Sequence, residues 1–218
     1  MIGIFGGTFD PVHFGHLRTA LDVAEQAGLE QVRFIPCGTP AHRPAPLAGP
    51  EQRAQMLRMA IADQPGFTLD ERELYRVGPS YMVDTLSSIR QELGAAASMG
   101  LILGMDAFNG LHSWHRWERL IELAHLLVMT RPGWDERDIN SAPLRAMLQT
   151  HKAETALDCH AGPAGNVIFL QVSQLAISST GLRQLIRAGR DIRYFLPDAV
   201  CDYIRREGLY LDSGKTND

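Results

Sequence analysis

The chain has 218 residues, 45% of them hydrophobic and 21% charged, with a formal net charge of −4. This length and composition predict a globular protein with one domain and a substantial core. The negative charge and the scattered basic residues argue against a nucleic-acid partner, and no apolar run is long enough to predict a membrane span.

The cysteines and the N-terminus bear on the cellular compartment. Cys37, Cys159 and Cys201 are odd in number, far apart and without a C-x-x-C pair, so neither a disulfide framework nor a zinc ribbon is predicted. We expect all three thiols to be structural, because buried cysteine behaves as a small hydrophobic residue. The apolar N-terminus lacks the basic region that opens a signal peptide. A cytoplasmic protein is therefore expected.

Strand and helix patterns alternate along the chain. Short apolar runs predict strands, and the first of them ends at the sharp turn Gly6-Gly7. Apolar residues at helical spacing predict the helices, several of which end at glycine. The predicted strands are residues 1–5, 31–36, 67–74, 101–103, 126–130 and 166–172. The predicted helices are 17–27, 51–63, 80–93, 117–124, 180–188 and 197–207, with one more around 144–150 in the poorly patterned region 135–165.

This alternation predicts an α/β fold with a doubly wound, mostly parallel sheet and helices on both faces. We expect a single domain over residues 1–218, with a small C-terminal helical part at residues 175–212. In such sheets, ligands bind beyond the carboxyl ends of the strands, near the point where the strand order reverses.

The stretch GGTFDPVHFGH places His13 and His16 after the first predicted strand. One interpretation is a metal site, but Asp10 is the only further ligand nearby and the H-E-x-x-H spacing is missing. No metal ligand is therefore predicted. A structural role of the two histidines at a turn remains an alternative.

The neighbours of the histidines favour a phosphate-binding site. Gly6 and Gly7 let the backbone pass close to a ligand. The chain then enters a helix near Phe14, and a helix N-terminus offers free N–H groups and a positive dipole end. Imidazoles held there donate hydrogen bonds to phosphate oxygens, and the polyanion favours their protonated form in return.

A second anion-binding pattern, ISSTGLR, lies near the other end of the chain and opens a predicted helix. Ser179 or Thr180 can cap that helix. Three successive hydroxyls and Arg183 in the first turn are more than a cap needs. An arginine there opposes the helix dipole, which favours a nearby anion, although an ordinary surface arginine remains the alternative.

Together, GGTFDPVHFGHL and ISSTGLR resemble the paired signature of a nucleotidyltransferase superfamily. Within it, the chain is similar over nearly its whole length to the bacterial nicotinate mononucleotide adenylyltransferases. Phosphopantetheine adenylyltransferases usually have Thr at the position of His13, and class I aminoacyl-tRNA synthetases need a KMSK-type loop and an RNA-binding domain that this chain lacks. The further matching landmarks are PCGTPAHRP, ERELYRVGPSYMVDTL, LILGMDAFNGLHSWHRWE, VMTRPGW and LPDAVCDYI.

The resemblance implies a Rossmann-like nucleotidyltransferase fold and an activity. It implies transfer of AMP from ATP to nicotinate mononucleotide, giving nicotinate adenine dinucleotide and pyrophosphate in NAD biosynthesis. The acceptor phosphate attacks the α-phosphorus directly, with Mg²⁺ bound to the ATP phosphates. A phosphate monoester has a second pKa of about 6, so this nucleophile is largely dianionic at neutral pH and needs no enzyme base.

The resemblance also implies roles for individual residues. Trp114 matches the tryptophan that stacks on the pyridine ring, and Trp117 is then expected in the core. Relatives often have Thr at the position of Met82. The implied catalytic residues are His13, His16 and Arg183. The implied ATP-binding residues are Gly6, Gly7, Thr8, Phe9, His16, Gly104, Asp106, Ile177, Ser179, Thr180 and Arg183. The implied residues for nicotinate mononucleotide are His42, Arg43, Met82, Thr85, Trp114 and His115.

Two competing functional hypotheses remain. One is a non-catalytic module that senses a nucleotide on the same fold. The other is an adenylyltransferase for nicotinamide mononucleotide or another phosphorylated acceptor. The expected ligands are ATP and nicotinate mononucleotide, with no nucleic acid and no membrane, and both a monomer and a homo-oligomer are compatible with the sequence.

Overall fold

The structure is a computed structural model that describes residues 1–40 and 44–211. The strands are β1 (Ile2–Gly7), β2 (Gln31–Pro36), β3 (Thr39–Pro40), β4 (Phe67–Leu69), β5 (Pro79–Ser80), β6 (Met99–Gly104), β7 (His125–Thr130) and β8 (Val167–Gln171). The helices are α1 (Phe14–Ala27), α2 (Pro50–Ile61), α3 (Met82–Leu93), α4 (Met105–Asn109), α5 (Glu118–Leu123), α6 (Ala142–His151), α7 (Ser179–Arg187) and α8 (Asp198–Arg206). Short 3₁₀ helices cover Leu111–Ser113, Glu136–Asp138 and Ala156–His160.

The described residues form a six-stranded parallel sheet in the order β4-β2-β1-β6-β7-β8 and a two-stranded parallel pair of β3 and β5. Numbered along the chain, the six strands have the order 3-2-1-4-5-6 of dinucleotide-binding folds. The order reverses between β1 and β6, where Ile4 pairs with Leu101. The predicted doubly wound parallel sheet is confirmed.

Alternation of side chains along the strands builds a hydrophobic core on each face of the sheet. Phe5 and Ile102 pack with α1, α2, α7 and α8 on one face. Ile4 and Leu101 pack with α3, α4, α5 and α6 on the other face. The C-terminal helices α7 and α8 thus share the core on which the N-terminal helix α1 packs.

The predicted strand 67–74 and the predicted helix 80–93 are partly wrong at their boundaries. The strand ends at Leu69, and the residues that follow form a turn in which Leu74 donates its N–H to Glu71. The helix begins at Met82, because Tyr81 is extended and Ser80 pairs with β3. Helix α4 and the pair of β3 and β5 were not predicted.

The carboxylate of Asp10 is buried and connects segments from distant parts of the chain. It accepts hydrogen bonds from the backbone N–H groups of Leu47 (2.8 Å) and Ala48 (3.0 Å), before α2. It also accepts one from the hydroxyl of Tyr210 (2.8 Å), after α8. Burial and the neighbouring Asp10 carboxylate raise the pKa of Tyr210 well above its ordinary value, so the phenol keeps its proton as a donor.

A buried arginine also contacts the loop that follows β1. Arg53 in α2 is 1% exposed and donates from Nη1 to the carbonyl of Thr8 (2.9 Å). Burial lowers the pKa of Arg53, and the nearby Asp10 charge opposes that change. Two buried groups of opposite charge, Asp10 and Arg53, therefore hold the loop after β1 in place. None of the helices within residues 1–40 and 44–211 is long and apolar enough to cross a bilayer.

Removing the Tyr210 hydroxyl is expected to destabilise the fold. In Tyr210→Phe, the Asp10 carboxylate loses a buried donor, and the free energy of unfolding should fall by about 1.5–3 kcal/mol, as for hydrogen bonds to charged groups. Urea denaturation measures this change. The control is Tyr194→Phe, since Tyr194 is 86% exposed. Equal stability of the two variants would contradict the role assigned to the Asp10 contact.

Candidate active site

A cavity of about 350 Å³ lies at the carboxyl ends of β1 and β6, where the strand order reverses. This is the position at which open α/β sheets bind ligands. Its walls come from the end of β1, the loop after β2, the start of α3, and the segment from β6 to residue 115. The predicted site residues in its lining are Gly6, Gly7, Thr8, Met82, Gly104, Asp106, Trp114 and His115.

Two glycines at the end of β1 lie in close contact with neighbouring side chains. A Cβ on Gly6 would lie 2.5 Å from the Met82 side chain, and one on Gly7 would lie 2.8 Å from the ring of Phe9. Phe9 itself is buried in the core, with a positive φ of 48°. These distances concern contacts within the protein, so the prediction that Gly6 and Gly7 let the backbone approach a ligand stays a prediction.

The two histidines of the first motif stack on each other at the N-terminus of α1. Their ring centroids are 3.8 Å apart and the rings are inclined by 28°. The backbone N–H of His13 donates to Nδ1 of His16 (3.3 Å), so a neutral His16 carries its proton on Nε2. The His13 ring is buried, and its Nδ1 has no hydrogen-bond partner among residues 1–40 and 44–211.

Both imidazoles are neutral at pH 7 in this structure. Burial lowers the pKa of His13 to about 4. Burial, and then the proximity of His13, holds the pKa of His16 well below its ordinary value. Neutral imidazoles at a helix N-terminus can donate hydrogen bonds without placing an uncompensated cation against the helix dipole. The pair therefore suits an incoming anion.

The second motif lies directly against the first. The Ser179 hydroxyl donates to the carbonyl of Pro11 (2.9 Å). The Arg183 guanidinium donates from Nη1 to the carbonyl of Asp10 (2.6 Å) and lies 3.7 Å from its carboxylate. These contacts bring together the starts of α1 and α7, from segments about 170 residues apart in the chain.

The polar side chains in the first turn of α7 are hydrogen-bonded to one another and to the helix backbone. Ser178 caps the helix by accepting the N–H of Gly181 (3.1 Å), so the prediction that Ser179 or Thr180 is the cap was wrong. Thr180 accepts instead from Nη2 of Arg183 (3.1 Å). The carbonyl of Ile177 would lie 3.6 Å from a Cβ on Gly15, so the two helix starts are in close contact.

The candidate site thus has two adjoining parts. The cavity is lined by Gly104 and Asp106, which were predicted for adenosine, and by Met82, Trp114 and His115, which were predicted for the acceptor. The polar cluster of His13, His16 and Arg183, with Ile177, Ser179 and Thr180, lies beside it and outside the cavity lining. The loop from Gly7 to Phe9 connects the two parts.

The two tryptophans differ in their relation to the cavity. Both Trp114 and Trp117 are partly buried and pack against the hydrophobic core on the α3 face, but only Trp114 of the two also lines the cavity. The rings of Tyr81 and His115 lie 4.4 Å apart at an angle of 33°, and both line the cavity. Tyr81 was missed by the sequence reasoning, because one tyrosine before a helix carries no distinctive pattern.

The structure corrects the predicted position of Thr85. Its side chain is fully buried and does not line the cavity. The hydroxyl donates to Glu73 Oε1 (2.6 Å) and accepts from Nη1 of Arg76 (3.0 Å). Glu73, which does line the cavity, was missed because it belongs to a charged turn without periodicity.

The remaining predicted residues have varied outcomes. His42 and Arg43 lie outside the described residues. Cys159 and Cys201 are buried, as expected of structural thiols, whereas Cys37 is half-buried and lines the cavity. Within the described ranges, no group of three or more His, Cys, Asp or Glu side chains could hold a metal ion.

Comparisons with known proteins identify relatives over almost the full chain. Residues 4–185 match the family model described as cytidylyltransferase-like. A "Probable nicotinate-nucleotide adenylyltransferase" of Methylococcus capsulatus is 52% identical over 96% of this chain and 99% of its own, and one of Cellvibrio japonicus is 46% identical over 96% and 98%. The fold is also similar to that of Plasmodium falciparum nicotinic acid mononucleotide adenylyltransferase complexed with NaAD (TM-score 0.70, 19% identity, 96% of each chain).

The depressed pKa of His13 predicts a pH-dependent stability. Between pH 6.5 and about 4, the unfolded chain binds a proton at His13 that the native protein does not bind. The free energy of unfolding therefore decreases by about 1 kcal/mol for each unit by which the pH is lowered. Urea denaturation from pH 7.5 to 5.5 should show a smaller loss for His13→Gln than for the unchanged protein. The exposed His112 provides the control His112→Gln. Parallel pH profiles for His13→Gln and the unchanged protein would contradict the neutral buried imidazole.

Proposed function

The chain belongs to the nicotinate-nucleotide adenylyltransferases of the cytidylyltransferase-like family, and on this premise we propose how its site transfers AMP from ATP to nicotinate mononucleotide. The products are nicotinate adenine dinucleotide and pyrophosphate, so the enzyme acts in NAD biosynthesis. The observation that carries the mechanism is the contact between the histidine motif and the ISSTGLR motif beside the cavity. We propose the cytoplasm as its location, because the three cysteines, all within the described residues, are thiols rather than disulfides, as is usual in a reducing compartment.

The polar cluster is the proposed triphosphate site. His16 donates from Nε2 and Arg183 presents its guanidinium, while the first turns of α1 and α7 add backbone N–H groups such as those of Gly15 and Thr180. The two helices begin close together, since Ser179, the first residue of α7, donates a hydrogen bond to Pro11, just before α1. Donors arriving from two helices can bind the α-phosphate and the departing pyrophosphate at the same time.

The cavity is the proposed site of both nucleosides. Asp106 is exposed in the first turn of α4, next to Gly104. Its carboxylate can accept hydrogen bonds from two vicinal ribose hydroxyls of ATP. Trp114 offers an aromatic face to the pyridine ring, and the backbone N–H groups of Met82 and His115 are the proposed donors to the nicotinate carboxylate.

Catalysis on this arrangement depends on position and charge. The acceptor phosphate is already a dianion at neutral pH, so no side chain has to remove a proton from it. Holding it in line with the leaving pyrophosphate converts a bimolecular reaction into an effectively unimolecular one. The His16 and Arg183 donors stabilise the negative charge that develops on the transferred group.

The residues at the site fit a metal ion that is carried by the substrate. The polar cluster consists of nitrogen and hydroxyl donors, which suit phosphate oxygens, and the Asp10 carboxylate is already bound by two N–H groups and a phenol. Mg²⁺ keeps several waters and is commonly bound by substrate phosphates. We propose that Mg²⁺ is held by the ATP phosphates and reduces the repulsion between them and the incoming phosphate.

Replacing His16 tests the phosphate contact. His16→Ala should lower the rate of pyrophosphate release from ATP and nicotinate mononucleotide by about 10²–10³-fold, as for the loss of one transition-state donor. The control is His160→Ala, since His160 is exposed and contacts Ala27 at the far end of α1. Turnover of His16→Ala equal to that of the control would rule out the proposed contact.

Removing divalent cations tests the proposed metal. Excess EDTA should abolish pyrophosphate release, and Mg²⁺ added back should restore it, because the phosphates alone repel the acceptor dianion. Saturation should track the concentration of the Mg–ATP complex rather than that of the free ion. Undiminished turnover in EDTA would contradict a metal carried by ATP.

A further inference from the structure

Glu73 is a buried carboxylate at the cavity wall that the mechanism does not use. Its side chain is 3% exposed, although the residue lines the cavity. It accepts a hydrogen bond from the Thr85 hydroxyl at 2.6 Å and another from the Ser80 hydroxyl. Arg76 donates to Thr85 at 3.0 Å and places a positive charge nearby. A buried carboxylate with this many donors is a built arrangement rather than a chance contact.

The network extends from Glu73 into the loop that follows β2. The backbone N–H of Gly38 donates to the Ser80 hydroxyl oxygen at 3.2 Å, which leaves the serine proton for Glu73. A Cβ on Gly38 would lie 2.2 Å from the carbonyl oxygen of Glu73, so the two loops are packed without room for a side chain. The pairing of β3 with β5 continues the same contact.

The segment held by this network leads directly into the acceptor part of the cavity. Ser80, Tyr81 and Met82 are consecutive, and all three line the cavity. Tyr81 is the extended residue before α3 and lies against His115. Thr85 sits one turn further along the same helix, with its hydroxyl on Glu73. Glu73 therefore contacts the chain on both sides of Met82, at Ser80 before α3 and at Thr85 within it.

Burial of Glu73 raises its pKa, whereas the hydrogen bonds from Thr85 and Ser80 and the charge of Arg76 lower it. These partners therefore offset part of the cost of placing a carboxylate beside a pocket for an anionic acceptor. Glutamine has the same shape but a single acceptor oxygen, so it cannot replace the carboxylate for two hydroxyl donors in the same way.

We propose that Glu73 is a positioning residue for the acceptor nucleotide: its carboxylate fixes the start of α3 and the loop after β2, and thereby the backbone donors and aromatic faces that receive the pyridine ring. This inference rests on the proposed function, since it assigns Glu73 to the acceptor half of that reaction. The polar cluster proposed for the triphosphate is made by α1 and α7, and Asp106, the proposed ribose contact of ATP, lies in α4. The described hydrogen bonds of the Glu73 network reach neither part, so we expect Glu73 to act on the acceptor and not on ATP.

The test compares the Michaelis constants of the two substrates in Glu73→Gln. We expect the KM for nicotinate mononucleotide to rise by about tenfold, the equivalent of one buried hydrogen bond, and the KM for ATP to stay within about twofold. The matched control is Glu71→Gln, because Glu71 lies two residues away and forms an ion pair with Arg58 outside the cavity. Equal changes in both KM values, or none, would overturn the proposal.

If Glu73→Gln does not fold, a pair of variants at Thr85 tests the same proposal. Thr85→Val removes the donor at nearly constant volume and should raise the same KM selectively. Thr85→Ser restores the hydroxyl and should recover most of that loss, whereas equal KM values for Thr85→Val and Thr85→Ser would overturn the proposal. Absence of turnover in the unchanged protein would instead count against the proposed function. Normal turnover of the unchanged protein, together with variants that change both KM values equally, would count against the role of Glu73 alone.

Discussion

The burial of Asp10 is the constraint on which the phosphate site depends. Its carboxylate accepts hydrogen bonds from the loop before α2 and from Tyr210, and its backbone carbonyl accepts from Arg183. A charge removed from water is costly unless every lone pair is used, so the chain has to bring these segments together for the fold to be stable. The same folding event places the N-termini of α1 and α7 side by side. The anion site is therefore a consequence of satisfying one buried carboxylate.

The position of the cavity follows from the order of the strands. Because β1 lies between β2 and β6, the connections on its two sides leave in opposite directions and open a crevice at its carboxyl end. Gly7 and Gly104 end the two strands that flank the crevice. Side chains in this crevice come from loops, and these loops are supported by contacts such as that of Arg53 with the Thr8 carbonyl. Rigid strands thus fix where ligands bind, and the loops decide which ligands bind.

The sheet could be predicted because its strands are short apolar runs separated by glycine and by helical periodicity. The two phosphate motifs could be predicted because hydroxyls, imidazoles and an arginine at helix starts form a local pattern that is typical of anion binding. The Glu73 network could not, since its members lie in a charged turn and on a buried helix face, and only tertiary packing makes them neighbours. The same holds for Ser178, which competes for the cap with two adjacent hydroxyls. Sequence pattern identifies groups that act through local structure, whereas groups that act through distant contacts need coordinates.

The neutral state of the histidine pair has a consequence for how the site responds to its ligand. Stacked imidazoles 3.8 Å apart cannot both be charged without repulsion, and burial and the dipole of α1 oppose the first charge as well. A bound triphosphate opposes these effects on the imidazoles. Its negative charge favours protonated imidazole, and its oxygens can accept hydrogen bonds from donors that otherwise lack partners. The transition state carries its charge at the same place, so the donors are already oriented when that charge develops. The neutral imidazoles of His13 and His16 therefore lower the stability of the free protein by being buried. In return they are already oriented to stabilise the phosphates when these are bound.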